Sequence, residues 1–256
     1  VYLLISFFIS LHLYLSNYQV TFLNSYFEAI SGTTGTGFSI FKNIKYLDPT
    51  LILWRSSSQW LGGLYFLFFL ILIFSNKQFK YKMNELTYSG DGNINSQNNI
   101  KDLLFKIFIL YSVLSFIIFL LLNISEVRMF NSLNLSMSLI SSGGFLPTDE
   151  LNSIINSNPK KIVFILSLIL SLLNFFIILN IFESEIIKRQ HKEDLYLILL
   201  SIILVLLIYF NNYGGLNLII SVLSSFSNSG LSLISSDNNL SLYFILITVI
   251  GGSVVS

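Results

Sequence analysis

Three stretches combine glycine with short hydroxyl side chains where the flanking sequence is apolar: Glu28-Ala-Ile-Ser-Gly-Thr-Thr-Gly-Thr-Gly-Phe38, Leu135-Ser-Met-Ser-Leu-Ile-Ser-Ser-Gly-Gly-Phe145 and Ser221-Val-Leu-Ser-Ser-Phe-Ser-Asn-Ser-Gly-Leu231. With Gly37, Gly144 and Gly230 in register, a serine stands six residues earlier each time (Ser31, Ser138, Ser224) and a hydroxyl three earlier (Thr34, Ser141, Ser227). Seven earlier the residue is apolar (Ile30, Met137, Leu223), and one later it is large and apolar (Phe38, Phe145, Leu231). Gly35 can be slid into the place of Gly37, but only Gly37 sets Phe38 opposite Phe145 and Ser31 opposite Ser138 and Ser224. The chemistry such residues can do is to coordinate a dehydrated monovalent cation. That ion needs a ring of oxygens to replace its water, and an extended backbone with its carbonyls turned to an axis supplies one. Glycine reaches positive φ without a Cβ penalty and leaves the axis open. The candidate ion-binding residues are Thr34, Gly35, Thr36 and Gly37; Ser141, Ser142, Gly143 and Gly144; and Ser227, Asn228, Ser229 and Gly230.

Other chemistries find little support. Cysteine is absent, which excludes disulfides, thiolate metal sites and cysteine nucleophiles. The two histidines, His12 and His191, lie far apart without acidic partners at ligand spacing. Neither Glu183 with Glu185 nor Asp149 with Glu150 has the partners a membrane enzyme needs, so no catalytic residue is assigned, nor any covalent cofactor. A net charge of +1 gives no basic face for nucleic acid.

The elements that must position the loops follow from hydropathy. With 54% hydrophobic and 11% charged residues and a mean hydropathy of +0.74, the chain falls in the membrane class. A span needs about 20 apolar residues, and Leu51 to Phe74, Ile107 to Ile124, Ile162 to Phe182 and Leu195 to Phe210 come near this. Two more runs, Val1 to Leu15 and Leu242 onward, are cut by the chain ends, as in a fragment. The first lacks the basic start of a signal peptide. Between spans, Phe22 to Ile30, Met129 to Ile140 and Leu216 to Phe226 are apolar but too short to cross, and read as re-entrant half-helices. Each would aim its C-terminal end, with its partial negative charge, at the centre, where a cation is favoured.

Lysine and arginine crowd the connections Asn76 to Asp102 and Glu183 to Asp194, which makes these cytoplasmic and sends the half-helices in from outside. Arg55 and Lys160 or Lys161 then mark the outer boundary. Glu28, Asp48, Glu126, Asp149, Glu150 and Asp237 are outer carboxylates that either concentrate cations at a pore mouth or are merely solvated, with Glu28, inside a half-helix, set apart. Asn174 and Asn180, within a span, face protein or pore. The expected fold is an all-α membrane protein of repeated helix, re-entrant loop, helix units, about three of four around a pseudo-fourfold axis. Its divisions are repeat 1 at residues 1–75, a cytoplasmic linker at 76–102, repeat 2 at 103–182, a second linker at 183–194 and a truncated repeat 3 at 195–256. The competing reading is a secondary transporter with discontinuous helices and a midplane cation or small-solute site. It requires inverted repeats, whereas these enter from one side.

In Phe27 to Gly37, in Trp54-Arg-Ser-Ser-Ser-Gln-Trp-Leu-Gly-Gly63 and in Ser142-Gly-Gly-Phe145, the chain resembles the Trk/Ktr/HKT superfamily of potassium transporters, in particular the bacterial TrkH/KtrB-like membrane subunits. Gln59 to Gly63 is the most specific match, and Asn228-Ser-Gly230 is similar to a third filter. The resemblance implies four units around one axis, potassium as the transported ion, and preference for it through glycine at Gly37, Gly144 and Gly230. It also implies a multi-pass protein of the bacterial plasma (inner) membrane, a homodimer in the lipid bilayer and a cytoplasmic nucleotide-binding regulatory subunit. Gly251, Gly252 and Ser253 look like the start of a gating loop, although Val255 stands where a small residue is expected.

Overall fold

The structure is a computed structural model and describes residues 2–16, 18–74, 97–172, 215–233, 244, 245 and 248. Within these residues it is all helix and loop. Seven α-helices follow one another: α1 (Tyr2–Tyr14), α2 (Phe22–Thr33), α3 (Pro49–Phe74), α4 (Gln97–Ile124), α5 (Met129–Ile140), α6 (Asn158–Leu172) and α7 (Leu216–Phe226). Single 3-10 turns at Ile44–Tyr46 and Leu151–Ser153 interrupt the two long exit loops. The short helices α2, α5 and α7 coincide with the three apolar stretches expected to be half-helices, and α5 and α7 agree with them at both ends. α4 starts at Gln97, inside the segment expected to be a linker, so the polar residues there already continue the helix.

The α4 segment Leu104–Ile124 is long and apolar enough to cross a membrane. Both of its sides are apolar. Ile107, Leu110, Tyr111, Leu114, Ile118 and Leu122 recur at helical spacing and are buried. Phe105, Phe108, Val113, Phe116 and Leu120, on the other side, are exposed. A helix that is hydrophobic all round suits a lipid surface, where the outward face costs nothing. The same setting removes the hydrophobic drive between helices, so close backbone approach and polar contacts must hold them together.

Small residues supply that approach. A Cβ on Gly62 of α3 would collide with the backbone of Thr33 at the end of α2, and one on Gly32 would collide with Ser58 of α3. Ser6 of α1 and Thr33 of α2 share a hydrogen bond of 2.7 Å. Two of the half-helices thus pack between flanking helices: α2 between α1 and α3, and α5 between α4 and α6. A second relation repeats as well. α3 also packs on α5, and α6 also packs on α7, so the outer helix of one unit braces the half-helix of the next.

Candidate functional site

All three half-helices end in the same way. The backbone N–H of Gly35, Ser142 and Asn228 donates to the carbonyl three residues back (Gly32, Leu139 and Ser225), at 3.0, 3.1 and 3.2 Å. The next N–H, of Thr36, Gly143 and Ser229, donates five residues back to Ser31, Ser138 and Ser224, at 3.0, 2.9 and 3.0 Å. This pair of bonds is a Schellman motif, which ties up two of the orphan carbonyls of a helix end and requires a left-handed residue. Gly35, Ser142 and Asn228 occupy that place with φ of 69°, 53° and 55°, and Gly37, Gly144 and Gly230 follow with φ of 77°, 75° and 65°. The paired left-handed residues set Gly37, and not Gly35, in register with Gly144 and Gly230. The matched hydroxyls fold back on their own helices: Thr34 Oγ1 donates to Ile30 O at 2.7 Å, Ser141 Oγ to Met137 O at 2.8 Å and Ser227 Oγ to Ser224 O at 3.1 Å.

The loops also touch one another in sequence. A Cβ on Gly37 would stand 2.5 Å from the Gly143 carbonyl oxygen of the second loop. One on Gly144 would come closer still to the Ser229 carbonyl oxygen of the third. In both cases the glycine of one loop lies against the carbonyl just before the matching glycine of the next. Glycine is therefore needed at 37 and 144 for conformation and for space together. The candidate residues of the three loops form one contiguous group, in which Thr34, Thr36, Asn228 and Gly230 are exposed and Gly143, Ser227 and Ser229 are buried.

One helix positions two of these loops, in a way sequence reasoning did not foresee. Arg55 and Gln59 lie one turn apart on α3 and are 2% and 0% exposed. Arg55, which the sequence reads as marking the outer membrane boundary, is buried: its Nε donates to Glu28 Oε1 at 2.8 Å and its Nη2 to Ser39 Oγ at 2.9 Å. Glu28, itself buried, accepts further bonds from Ser39 Oγ at 2.9 Å and the Ile40 N–H at 2.8 Å, and so fixes the chain leaving the first loop. The physical reason is that a buried ion must have a partner, and each of this pair supplies the other's. The Arg55 guanidinium also stands 4.3 Å from the ring centroid of Phe145, beyond the second loop. Gln59 reaches that loop directly: its Nε2 donates to Gly143 O, and its Oε1 accepts from the Phe145 N–H at 3.2 Å. Farther along, Trp60 Nε1 donates to Ser115 Oγ at 3.1 Å, Tyr111 OH donates to Trp60 O at 3.0 Å, and a Cβ on Gly63 would crowd Tyr111 and Ser141. The sequence signal for this machinery was the run Gln59 to Gly63; its contacts lie far along the chain and could not be read from it.

The carboxylates expected on the outer side differ in their contacts. Asp48, Glu126, Asp149 and Glu150 are all exposed, and Asp149 Oδ1 accepts from the Ile44 and Lys45 N–H groups and so pins the two exit loops together. A cavity of about 640 Å3 opens there, lined by charges of both signs, among them Lys45, Arg128, Lys160, Asp149 and Glu150. The His12 ring packs against Trp54, 4.6 Å between centroids. Asn174, Asn180, Glu183, Glu185, His191 and Asp237, the linker 183–194, and Gly251, Gly252 and Ser253 lie outside the described residues.

The family model described as TrkH, a cation transport protein, matches residues 3–212. An uncharacterized cation transporter of Methanocaldococcus jannaschii is 30% identical over 148 residues, covering 56% of this chain and 30% of that protein. The Trk system potassium uptake protein TrkI of Halomonas elongata is 45% identical over 60 residues, or 23% of this chain and 12% of TrkI. The crystal structure of the potassium transporter TrkH from Vibrio parahaemolyticus superposes with a TM-score of 0.70 at 16% identity, over 91% of this chain and 49% of that one. The likeness to it is one of fold, and the chain spans about half or less of the length of these relatives.

Proposed function

The chain belongs to the TrkH family of cation transport proteins, and from that premise we propose that it forms part of a potassium pore to which its three glycine loops lend backbone oxygens. The observation that carries this reading is the threefold helix ending. In each loop a Schellman motif and two left-handed residues recur at the same places, and successive loops touch through the glycine that the register singles out. Three loops shaped alike and joined in sequence suit oxygens gathered about an axis better than three separate turns. In this proposal Thr34 to Gly37, Ser141 to Gly144 and Ser227 to Gly230 line the ion path, and no covalent step occurs. The units are residues 1–75, 103–182 and 195–256, joined by cytoplasmic linkers, in a multi-pass protein of the bacterial inner membrane. Potassium enters down a negative-inside potential worth about 2.3 kcal/mol per charge per 100 mV. Gly251, Gly252 and Ser253 begin a gating loop, and the whole protein works as a homodimer with a cytoplasmic nucleotide-binding regulatory subunit.

The test places the full-length protein in cells lacking potassium uptake and replaces Gly144 by serine. A side chain there meets the Ser229 carbonyl at a left-handed φ, so the loops must part. The expected outcome is a fall in potassium over sodium preference, a ratio read per molecule and so independent of how much protein reaches the membrane. An unchanged preference overturns the filter assignment.

A further inference from the structure

We propose that Gln59 is a positioning residue that aims the second loop and sets its distance from the first, and through both fixes the preference between potassium and sodium; this rests on the pore reading above. The two backbone groups it binds, Gly143 O and the Phe145 N–H, flank Gly144. They belong to the two successive peptide units that meet at Gly144. No peptide bond here is cis, and in a trans unit the carbonyl and the N–H point opposite ways. The Phe145 N–H is turned toward α3, so the Gly144 carbonyl in the same unit is turned away from α3, free for an ion. The Gly143 carbonyl is turned the other way and held by the amide. One side chain thus assigns opposite tasks to neighbouring oxygens.

The held oxygen has a second neighbour. It is the atom against which Gly37 rests, 2.5 Å from where a Cβ on Gly37 would stand. Gln59 therefore positions the surface on which the first loop bears, as well as the second loop itself. Pore calibre between the two follows from a residue that touches no ion.

The identity of residue 143 supports this independently. Its place in the other loops is taken by Thr36 and Ser229, and its φ is not in the left-handed region that favours glycine. What requires glycine is room: a Cβ at 143 would run into the amide group of Gln59. Among the described residues, the one loop with glycine at this register position is the loop that Gln59 enters. One turn earlier, Arg55 lays its guanidinium on Phe145 and braces the residue whose N–H the amide holds.

The experiment compares full-length Gln59→Glu, Gln59→Ala, Gly143→Ala and the double variant Gln59→Ala with Gly143→Ala, with Gly144→Ser as reference, in proteoliposomes with potassium and sodium. Gln59→Glu keeps the acceptor for Phe145 but loses the donor to Gly143. Loss of one such bond is expected to raise relative sodium flux on the order of 5- to 10-fold. Gly143→Ala should do the same, and the double variant should be no worse than the worse single, because both changes break one link. Where a variant is made in small amounts, the rise in unfolding midpoint given by potassium chloride over sodium chloride in detergent reads the same preference. That difference should shrink for each Gln59 variant. If Gly144→Ser shifts the preference while the Gln59 variants keep the wild-type ratio and midpoint difference, the role of Gln59 is overturned and the pore reading stands. If Gly144→Ser also changes nothing, both fall.

Discussion

Arg55 and Glu28 meet at 2.8 Å with both side chains almost wholly buried. Such a pair is little evidence of added stability, yet removing one partner strands the other charge and costs about 3–5 kcal/mol. Arg55→Ala is expected to lower the unfolding midpoint in detergent sharply. Arg55→Lys should recover only part of the loss, since an ammonium lacks the flat fork that reaches Glu28 and Ser39 together. Two glycines of the loops allow a sharper comparison. Alanine at either Gly144 or Gly230 meets a left-handed backbone, which costs about 1–2 kcal/mol. At Gly144 the new methyl also enters the Ser229 carbonyl, whereas at Gly230 no described atom lies within 4 Å. Gly144→Ala should therefore lose more folded protein than Gly230→Ala, measured by the amount that elutes as a single species from size exclusion.

At the scale of helices, α3 acts as a wedge whose successive residues serve different neighbours: Arg55 the exit of the first loop, Gln59 the second loop, Gly62 the end of α2, and Gly63 both Tyr111 and Ser141. Gly62→Ala drives a methyl into the Thr33 backbone, where nothing can rotate away. It should cost at least the 1–3 kcal/mol typical of overpacking, seen as a fall in thermal midpoint together with weaker ion selectivity, because Thr33 leads into the first loop. Much of this layer was legible beforehand. Half-helices announce themselves by being apolar and too short, and α5 and α7 fall where that pattern put them. Glycine register was legible too, since it depends on local conformation. The jobs of Arg55 and Gln59 were not: Arg55 reads as a boundary residue because its partner Glu28 lies in another helix, and Gln59 reads only as part of a motif because its partners are Gly143 and Phe145.

Across the described residues, units are joined side to side by α3 on α5 and α6 on α7, and between their exit loops by Asp149. Its carboxylate takes the N–H groups of Ile44 and Lys45 across the gap between the two exit loops. Asp149→Ala should free those amides, with faster hydrogen exchange at Ile44 and Lys45 and little change in α5. Asp149, Glu126 and Glu150 look interchangeable in sequence and are all exposed, and only the fold shows that Asp149 is the fastener. The link through Gln59 also bears on how the protein is made. Its acceptor at Gly143 comes 84 positions later in the chain, which at a synthesis rate of about 5–20 residues per second is a wait of roughly 4–17 s. Throughout that interval α3 carries an amide group whose native partner has not been translated. The nascent first unit must shelter it from lipid within the insertion machinery or beside water, and it locks into place only when the second unit arrives.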